Sequence, residues 1–208
     1  MPDLSINFPA PFPMNDSDLW RSFRNGDETA FSMLYKSHID MLYRYGHKLT
    51  TDTQLVEDSI QDMFIELWNS RKRLSDTDSI KYYLFRVLRR KITQHPLNRN
   101  VAGAGAEISA FEHRFFSVST ESELIDTESE QGRSRVLGHA LTLLPPRQRE
   151  VVNLRYYHEF NHQQIAEIMN ISLQSVHNTL QKSMKGLREL LSGYSEIILT
   201  ALLILPLT

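Results

Sequence analysis

A short row of polar side chains near the C-terminus has the chemistry needed to read base pairs. In the segment "SLQSVHNTLQKS", helical spacing buries Val176 and Leu180 and turns the polar residues to the opposite side. Carboxamides can pair with adenine through two hydrogen bonds, hydroxyls contact bases or phosphate, and lysine neutralises phosphate. The pattern therefore indicates a helix suited to the major groove of DNA. Its candidate residues are Ser172, Gln174, Ser175, His177, Asn178, Thr179 and Lys182.

Two helices joined by a very short turn must hold this polar row in place. Asn161 and Gln164 have the spacing of a capping box for the first helix. Asn170 stands where the chain must reverse and accepts the left-handed conformation, and Ser172 can cap the second helix. Ile171 is expected to be buried at the corner. The segment is a helix-turn-helix pattern, which binds DNA in many proteins but also occurs as a mere packing unit.

A second predicted helix combines aromatic rings with positive charge. It begins at Asp78 or Ser79 and runs to about His95, where Pro96 cannot continue it. Rings can stack on unpaired bases while arginines hold the backbone, which is the combination that single-stranded DNA requires. The rings, Phe85 included, are equally candidates for the core, because an apolar side runs along the same helix. That side is Leu84, Val87, Leu88 and Ile92, and the strand-binding candidates are Lys81, Tyr82, Tyr83, Arg86, Arg89 and Arg90.

A third predicted helix, within "LVEDSIQDMFIELW", separates an apolar stripe from an acidic face. The stripe recurs at i, i+3, i+4 and i+7 and is explained by packing into a core. The acidic face is either ordinary solvated surface or a docking site for a basic partner. Its candidate residues are Asp58, Gln61, Asp62 and Glu66.

Charge is segregated along a chain whose formal net charge is only -2. Residues 81–100 carry six bases and no acids, and residues 133–190 carry eight bases against four acids. Between these basic blocks, residues 107–130 carry seven acids and one base. Either basic block is equally well explained as solvated surface or as a site for an anionic partner.

The composition excludes several classes of chemistry. The chain of 208 residues has 41% hydrophobic and 23% charged residues, which are values of a globular protein, and it lacks cysteine. There are therefore no disulfides, thiolate zinc sites or thiol nucleophiles, and we expect a cytoplasmic protein. Neither a nucleophile elbow nor a phosphate-binding glycine loop is present. His158 and His162 lack a carboxylate pair, so we expect no metal, no cofactor and no catalytic residue.

Two stretches of the chain resemble the regions of bacterial sigma factors. "LPPRQREVVNLRYYHEFNHQQIAEIMNISLQSV" resembles their C-terminal domain, σ4, and "VEDSIQDMFIELW" followed by "SIKYYLFRVLRRKI" resembles their N-terminal domain, σ2. Nothing resembling σ1 or σ3 lies between them. The chain therefore resembles an extracytoplasmic-function (ECF) sigma factor, of a flavour near the iron-transport type. The resemblance covers roughly residues 17–95 and 134–191.

The resemblance implies a fold, partners and roles for the faces described above. It implies an all-α chain of two small helical domains joined by a flexible linker. The acidic face would bind the β′ coiled coil of core RNA polymerase, and σ4 would also meet the β flap. The helix with Lys81 and Arg90 would bind the −10 element as single strand, and the helix after Ser172 would read the −35 duplex. An anti-sigma factor is the expected regulator, and no small-molecule substrate is expected.

Three positions depart from the pattern of the family. Relatives often have arginine at Thr179, usually have glycine at Asn170 and more commonly have threonine at Ser175. The loss of an arginine removes a phosphate or guanine contact. These departures put the identity of the recognised element in doubt, but not DNA binding.

The expected organisation has five segments, and two other functions stay open. The segments are a flexible arm (1–16), a σ2-like domain (17–96), an acidic linker (97–132), a σ4-like domain (133–192) and a hydrophobic tail (193–208). The tail's apolar run is shorter than the roughly 20 residues of a membrane-spanning helix. One alternative is a dimeric helix-turn-helix regulator that binds operator DNA without polymerase. The other is an interaction protein whose helix-turn-helix only packs.

Overall fold

The computed structural model describes residues 15–95 and 136–192, and all regular structure in these two ranges is helical. This confirms the all-α prediction. The N-terminal half (15–95) contains α1 (Asp16–Arg24), α2 (Glu28–Leu49), α3 (Thr53–Ser70), a 3-10 turn (Arg71–Arg73) and α4 (Ile80–Gln94). The C-terminal half (136–192) contains α5 (described over 136–142), α6 (Pro146–Val152), a π-helical turn (Asn153–Tyr157), α7 (His162–Met169) and α8 (Leu173–Leu191).

Side-chain caps begin the helices of the N-terminal half. The Asp27 carboxylate accepts from the backbone N–H of Thr29 at 2.8 Å, which satisfies a donor that the first turn of α2 leaves without a partner. Ser79 caps α4 by accepting from the N–H of Tyr82 at 3.2 Å. The Ser79 cap stands at one of the two positions that the sequence predicts.

The turn between α7 and α8 is built around Asn170. This residue has φ 52° and ψ 53°, which is the left-handed conformation, and its N–H donates to the carbonyls of Ala166 and Glu167. Asn161 and Gln164 form the predicted capping box, and Ser172 caps α8. Ile171 is half-buried rather than buried, because it packs against the edge of the core. The helix-turn-helix is thus confirmed, with that one difference at its corner.

Helix α1 holds the connection between α3 and α4. The Trp20 Nε1–H donates to the carbonyl of Ser75 at 2.9 Å, and the carboxylate of Asp16 accepts from the N–H of Ile80 at 3.1 Å. Arg24 forms an ion pair with Asp76. Helix α1 therefore holds the polar connection "RKRLSDTDS" at Ser75 and Asp76 and holds the first residue of α4 at Ile80.

The two halves share one hydrophobic core. The buried side chains of α1 to α4 form a continuous cluster with Val151, Leu154 and Phe160 and with the buried face of α7, and α4 packs directly on α7. A smaller cluster lies between α5, α6 and α8, around Leu144 and Leu187. The halves are thus packed together in this structure, although the sequence suggested two separate units.

No helix in the described ranges is both long and apolar enough to span a membrane. The predicted linker (97–132), the tail (193–208) and the first 14 residues of the predicted arm lie outside the described residues. The five segment boundaries therefore stay predictions.

Candidate nucleic-acid and protein interfaces

The polar row of α8 faces solvent on the helix-turn-helix. Gln174, His177, Asn178 and Lys182 are exposed, whereas Ser175 and Thr179 are half-buried. The Gln174 Nε2–H donates to Asn178 Oδ1 at 3.0 Å, so that the two amides form a pre-ordered pair one turn apart. The Thr179 hydroxyl donates to the Ser175 carbonyl at 2.6 Å and is satisfied within the helix. The two amides and Lys182 are accordingly the groups best placed to contact a ligand.

Two histidines meet beside this row. The rings of His162 on α7 and His177 on α8 lie 4.3 Å apart in an edge-to-face arrangement. Burial first, and then the charge of His177, lowers the pKa of His162. Within residues 15–95 and 136–192 no group of three or more His, Asp or Glu could hold a metal ion. The pair therefore lacks the further ligands that a metal site needs.

The acidic face of α3 lies on the outside of the N-terminal half. Asp58, Gln61, Asp62 and Glu66 are all exposed, opposite the buried stripe of the same helix. Asp58 accepts from Gln54 within α3 at 2.9 Å, and Glu66 accepts from Lys91 of α4 at 2.6 Å. Next to this face an apolar groove runs between α2 and α3. Its walls include Phe31, Tyr35, Phe64, Ile65 and Trp68.

The six strand-binding candidates on α4 divide into two sets. Arg90 is exposed, and Tyr83 is half-buried against Trp20, with ring centroids 5.2 Å apart. The remaining four lie against the C-terminal half: Lys81, Tyr82, Arg86 and Arg89. The structure therefore brings most of this predicted site into contact with the C-terminal half, although the side chain of Arg86 stays 58% exposed.

Among the residues that the structure describes, Arg89 forms the most buried ion pair between the halves. Its Nε–H and an Nη–H donate to the two carboxylate oxygens of Glu150 on α6 at 2.6 and 3.3 Å, and its other Nη–H donates to the Met169 carbonyl at 3.1 Å. The side chains of Arg89 and Glu150 are only 17% and 10% exposed. Burial alone lowers the pKa of Arg89, but the charge and hydrogen bond of Glu150 outweigh burial and raise it. The Tyr45 hydroxyl donates to the same carboxylate at 2.9 Å, which completes a bidentate, charge-assisted network.

Glu167 on α7 forms a second, more exposed contact. Its carboxylate accepts from the Tyr82 hydroxyl and lies 3.7 Å from an Nη of Arg86. Burial, followed by the hydrogen bond to Glu167, raises the pKa of Tyr82 to about 12. The Lys81 Nζ–H donates to the His158 carbonyl at 2.7 Å. Lys81, Tyr82 and Arg89 thus all donate to groups of the C-terminal half.

Phe85 is a core residue and does not present its ring to solvent. It is completely buried and packs on Tyr45 at 4.5 Å, on His158 at 4.5 Å and on Phe160 at 5.1 Å between ring centroids. The interpretation of this ring as a stacking surface is therefore wrong in this conformation, and the alternative that it belongs to the core is confirmed. Val87 is half-buried, whereas Leu84, Leu88 and Ile92 form the buried side as predicted.

Sequence reasoning missed the acidic partners of α4. In the sequence, Glu150 and Glu167 are two of the four acids within residues 133–190, and in the structure they meet Arg89 and Arg86, which lie 61 and 81 positions earlier. No periodic pattern encodes such a long-range pairing. The sequence signal that points to it is weak: Glu150 stands beside Arg149 on α6, and Glu167 is the one acid of α7.

Both halves of the chain match known protein families. Residues 34–99 match the protein-family model "Sigma-70 region 2", and residues 134–187 match "Sigma-70, region 4". The ECF RNA polymerase sigma factor SigL of Mycobacterium tuberculosis is 26% identical over 159 residues, which is 74% of this chain and 85% of SigL. The ECF RNA polymerase sigma factor SigW of Bacillus subtilis is 22% identical over 177 residues, which is 81% of this chain and 92% of SigW.

Two solved structures share the fold. CnrH, in complex with the cytosolic domain of CnrY, has a TM-score of 0.55 and 18% identity, and the match covers 86% of this chain and 99% of CnrH. The sigma factor RpoE of Bartonella quintana, in complex with the anti-sigma factor NepR, has a TM-score of 0.52 and 19% identity, covering 79% of this chain and 98% of RpoE. With region 2 and region 4 in this order and ECF factors among its relatives over most of their length, the chain belongs to the sigma-70 family, as a sigma factor of the ECF type.

Proposed function

We propose that this chain binds core RNA polymerase and directs it to promoters, reading a −35 duplex with α8 and holding a −10 single strand with α4. The observation that carries the proposal is the exposed row of amides and lysine on α8, in a chain that matches both sigma regions. Strand opening would be driven by binding alone, because bases that leave the DNA stack can stack on protein. The function needs no covalent catalysis, and its place is the cytoplasm, where polymerase and chromosome are.

The polymerase contact is assigned to α3. Its exposed carboxylates at Asp58, Asp62 and Glu66, with Gln61, form one negative face that suits a basic partner helix. Such complementarity contributes association rate and register more than affinity. The neighbouring groove between α2 and α3 offers apolar area that could supply the affinity.

The −35 contact is assigned to the exposed part of α8. Gln174 and Asn178 can read adenine through paired hydrogen bonds, and Lys182 can neutralise phosphate. Ser172 and Ser175 lie at the start of the helix, and His177 is exposed on the same helix. Thr179 is satisfied within the helix and contributes less.

An anti-sigma factor is the proposed regulator. Support comes from the likeness to RpoE, which was solved with the anti-sigma factor NepR, and to CnrH, which was solved with the cytosolic domain of CnrY. The iron-transport flavour of the chain stays a prediction.

Capture of core RNA polymerase tests the proposed function. Tagged chain is mixed with purified core enzyme, and bound polymerase is measured together with transcription from a promoter library. The wild type should retain core enzyme, and Asp62→Arg should lower retention at least about tenfold by placing like charges face to face. Asp40→Arg makes the same change of charge at an exposed position of α2 and should have little effect.

The same experiment separates the alternatives. A wild type that ignores core enzyme but shifts palindromic duplex DNA would support the dimeric operator-binding regulator instead. A wild type that does neither would support the interaction protein. Equal retention by Asp62→Arg and Asp40→Arg would move the polymerase contact away from α3.

A further inference from the structure

One polar side chain of α8 is in contact with a ring from another helix. His177 is exposed on α8 among the residues proposed to read the −35 duplex, and the ring it touches belongs to His162, the first residue of α7. We propose that His162 is a positioning residue for duplex recognition, which holds the His177 ring in the orientation that contacts DNA. The inference rests on the proposed function and adds to it a residue that lies outside α8.

The geometry of this ring contact restricts the direction of both rings. Their centroids lie 4.3 Å apart and their planes are inclined by 77°, which is the edge-to-face arrangement that aromatic pairs favour. His177 is exposed whereas His162 is half-buried, so the ring on α7 is the anchored member of the pair. Rotation of either ring would break the arrangement. The contact therefore limits the rotation of the exposed His177 side chain.

The charge state of His162 suits this role. Burial first, and then the charges of His177 and Arg155, lower the pKa of His162 from 6.5. The ring is therefore largely neutral near pH 7, because its ordinary pKa already lies below that value. A neutral ring packs on His177 as an aromatic group without like-charge repulsion. It offers no positive charge to phosphate, so its effect on binding is expected through the ring that it holds.

The caps of both helices fix the backbone that carries the two rings. In the capping box of α7, the N–H of Gln164 donates to Asn161 Oδ1 at 2.9 Å, and the N–H of Asn161 donates to Gln164 Oε1 at 3.0 Å. His162 lies between these two residues. Ser172 caps α8 by accepting from the N–H of Ser175 at 3.2 Å. Because α7 also packs directly on α8, the two ring-bearing turns are held beside each other.

Two neighbouring side chains of α8 are thus ordered before DNA binds. Asn178 accepts from the amide of Gln174 within the helix, and His177 is held by His162 of α7. Ordering a side chain costs free energy when a complex forms, and a side chain that is already ordered avoids that cost. Loss of the His162 ring should therefore weaken duplex binding about two- to tenfold, as expected for one side chain that must be immobilised.

The test is a double-mutant cycle in the holoenzyme. Core RNA polymerase is reconstituted with the full chain and titrated with the duplex of the library promoter that is transcribed most strongly. His162→Ala should weaken binding about two- to tenfold when His177 is present, and should have no effect in a chain that already has His177→Ala. His162→Phe keeps an aromatic ring beside His177 and should restore the affinity of the wild type. His139→Ala, the same change at an exposed position of α5, should leave the affinity unchanged.

A second measurement reports the ring contact itself, without DNA or polymerase. The histidine rings of the full chain are isotope-labelled, and their proton signals are recorded by NMR. The ring current of His162 should displace the His177 ring signals from their positions in the His162→Ala chain. His162→Phe should also displace them, because phenylalanine supplies a ring at the same place. Urea denaturation of the same chains shows whether each variant is folded.

Either of two results would overturn the proposal. One is that His162→Ala leaves the affinity unchanged, or lowers it equally in the His177→Ala chain. The other is that the His177 ring signals do not change when His162 is replaced by alanine. Retention of core RNA polymerase is measured on the same samples. If polymerase is retained while either result occurs, the positioning role is wrong and the proposed function stands; if polymerase is not retained, the proposed function itself fails.

Discussion

Single residues on α8 have two different roles at DNA. Amides such as Gln174 and Asn178 recognise bases, whereas a lysine attracts the phosphate backbone. Each amide is exposed, and the hydrogen bond between them fixes the orientation of the Asn178 carbonyl oxygen. Lys182 lies farther along the same helix and is exposed as well. An amide can distinguish bases by donor and acceptor pattern, whereas an ammonium senses only phosphate charge.

This division predicts different losses from two substitutions. Asn178→Ala should weaken promoter binding by about 1–3 kcal/mol at particular base pairs and leave other sequences unaffected. Lys182→Ala should weaken binding to all sequences alike and should lower the slope of log affinity against log salt concentration by about one. Both effects are measured by titrating holoenzyme with promoter duplexes, each changed at one base pair, at several salt concentrations. Uniform losses from both variants would mean that α8 does not face the bases.

The sequence predicts which side chains are exposed better than it predicts which residues they contact. The outward residues of α8 follow from helical period alone, because burial of Val176 and Leu180 decides which face is left. The environment of Arg89 does not follow from period, since Glu150 approaches from another helix. The sequence does not show whether a charged residue in a basic run is solvated or forms an ion pair. Only the tertiary contact distinguishes the two.

At the scale of elements, one close approach fixes how α2 lies on α3. Gly46 is buried, and a Cβ built on it would stand 2.6 Å from one Cγ of Val56 and 3.3 Å from the other. Val56 is itself completely buried and β-branched, so that it has little freedom to move aside. The absence of a side chain at Gly46 is therefore what lets the two helices meet at this distance.

Two glycine-to-alanine substitutions should have opposite effects. Gly46→Ala should lower the free energy of unfolding by about 1–3 kcal/mol, because it overpacks the contact with Val56. Gly186→Ala on α8 is the matched control, since its Cβ would lie 3.4 Å from Leu144, an ordinary contact. There alanine should stabilise the helix by up to about 1 kcal/mol.

Chemical denaturation followed by circular dichroism measures both changes. Adding Val56→Ala to Gly46→Ala should return part of the lost stability by making room for the new methyl group. A Gly46→Ala chain as stable as the wild type would show that α2 and α3 are not packed this closely.

The helices could be predicted from the sequence better than the way in which they pack together. Caps at Asp27, Ser79 and Ser172 and the left-handed Asn170 follow from local chemistry, which acts over a few residues. The packing of α4 on α7 joins segments separated by the acidic linker, and nothing local records it. That is why the prediction of helices was confirmed while the shared core was not foreseen.

At the scale of the whole molecule, His158 lies where the halves meet. It is 3% exposed, with Tyr45 and Lys48 facing it from α2, Lys81 and Phe85 from α4, and Tyr157 beside it in its own half. Burial first, and then the charges of Lys81 and Lys48, lowers its pKa from 6.5 to about 3. The ring is therefore neutral in the packed molecule throughout the usual range of pH.

The sign of the pH effect follows from this lowered value. In the unfolded chain, His158 returns to its ordinary pKa of 6.5 and takes up a proton that the packed molecule does not bind. Acidification therefore favours the unfolded chain. The stability is fully present above about pH 6.5 and is lost progressively as the pH falls from there towards 3.

Replacing this ring should remove most of that pH dependence. Between pH 7 and pH 5 the free energy of unfolding of the wild type should fall by at most about 2 kcal/mol from His158, since each unit below its ordinary pKa contributes up to about 1.4 kcal/mol. His158→Phe keeps an aromatic ring between Tyr45 and Phe85 but cannot bind a proton, so its stability should change much less. His139→Phe, at an exposed position of α5, should keep the slope of the wild type. Urea denaturation at several pH values measures all three chains, and equal slopes for His158→Phe and the wild type would exclude this ring as the group that couples pH to the packing of the halves.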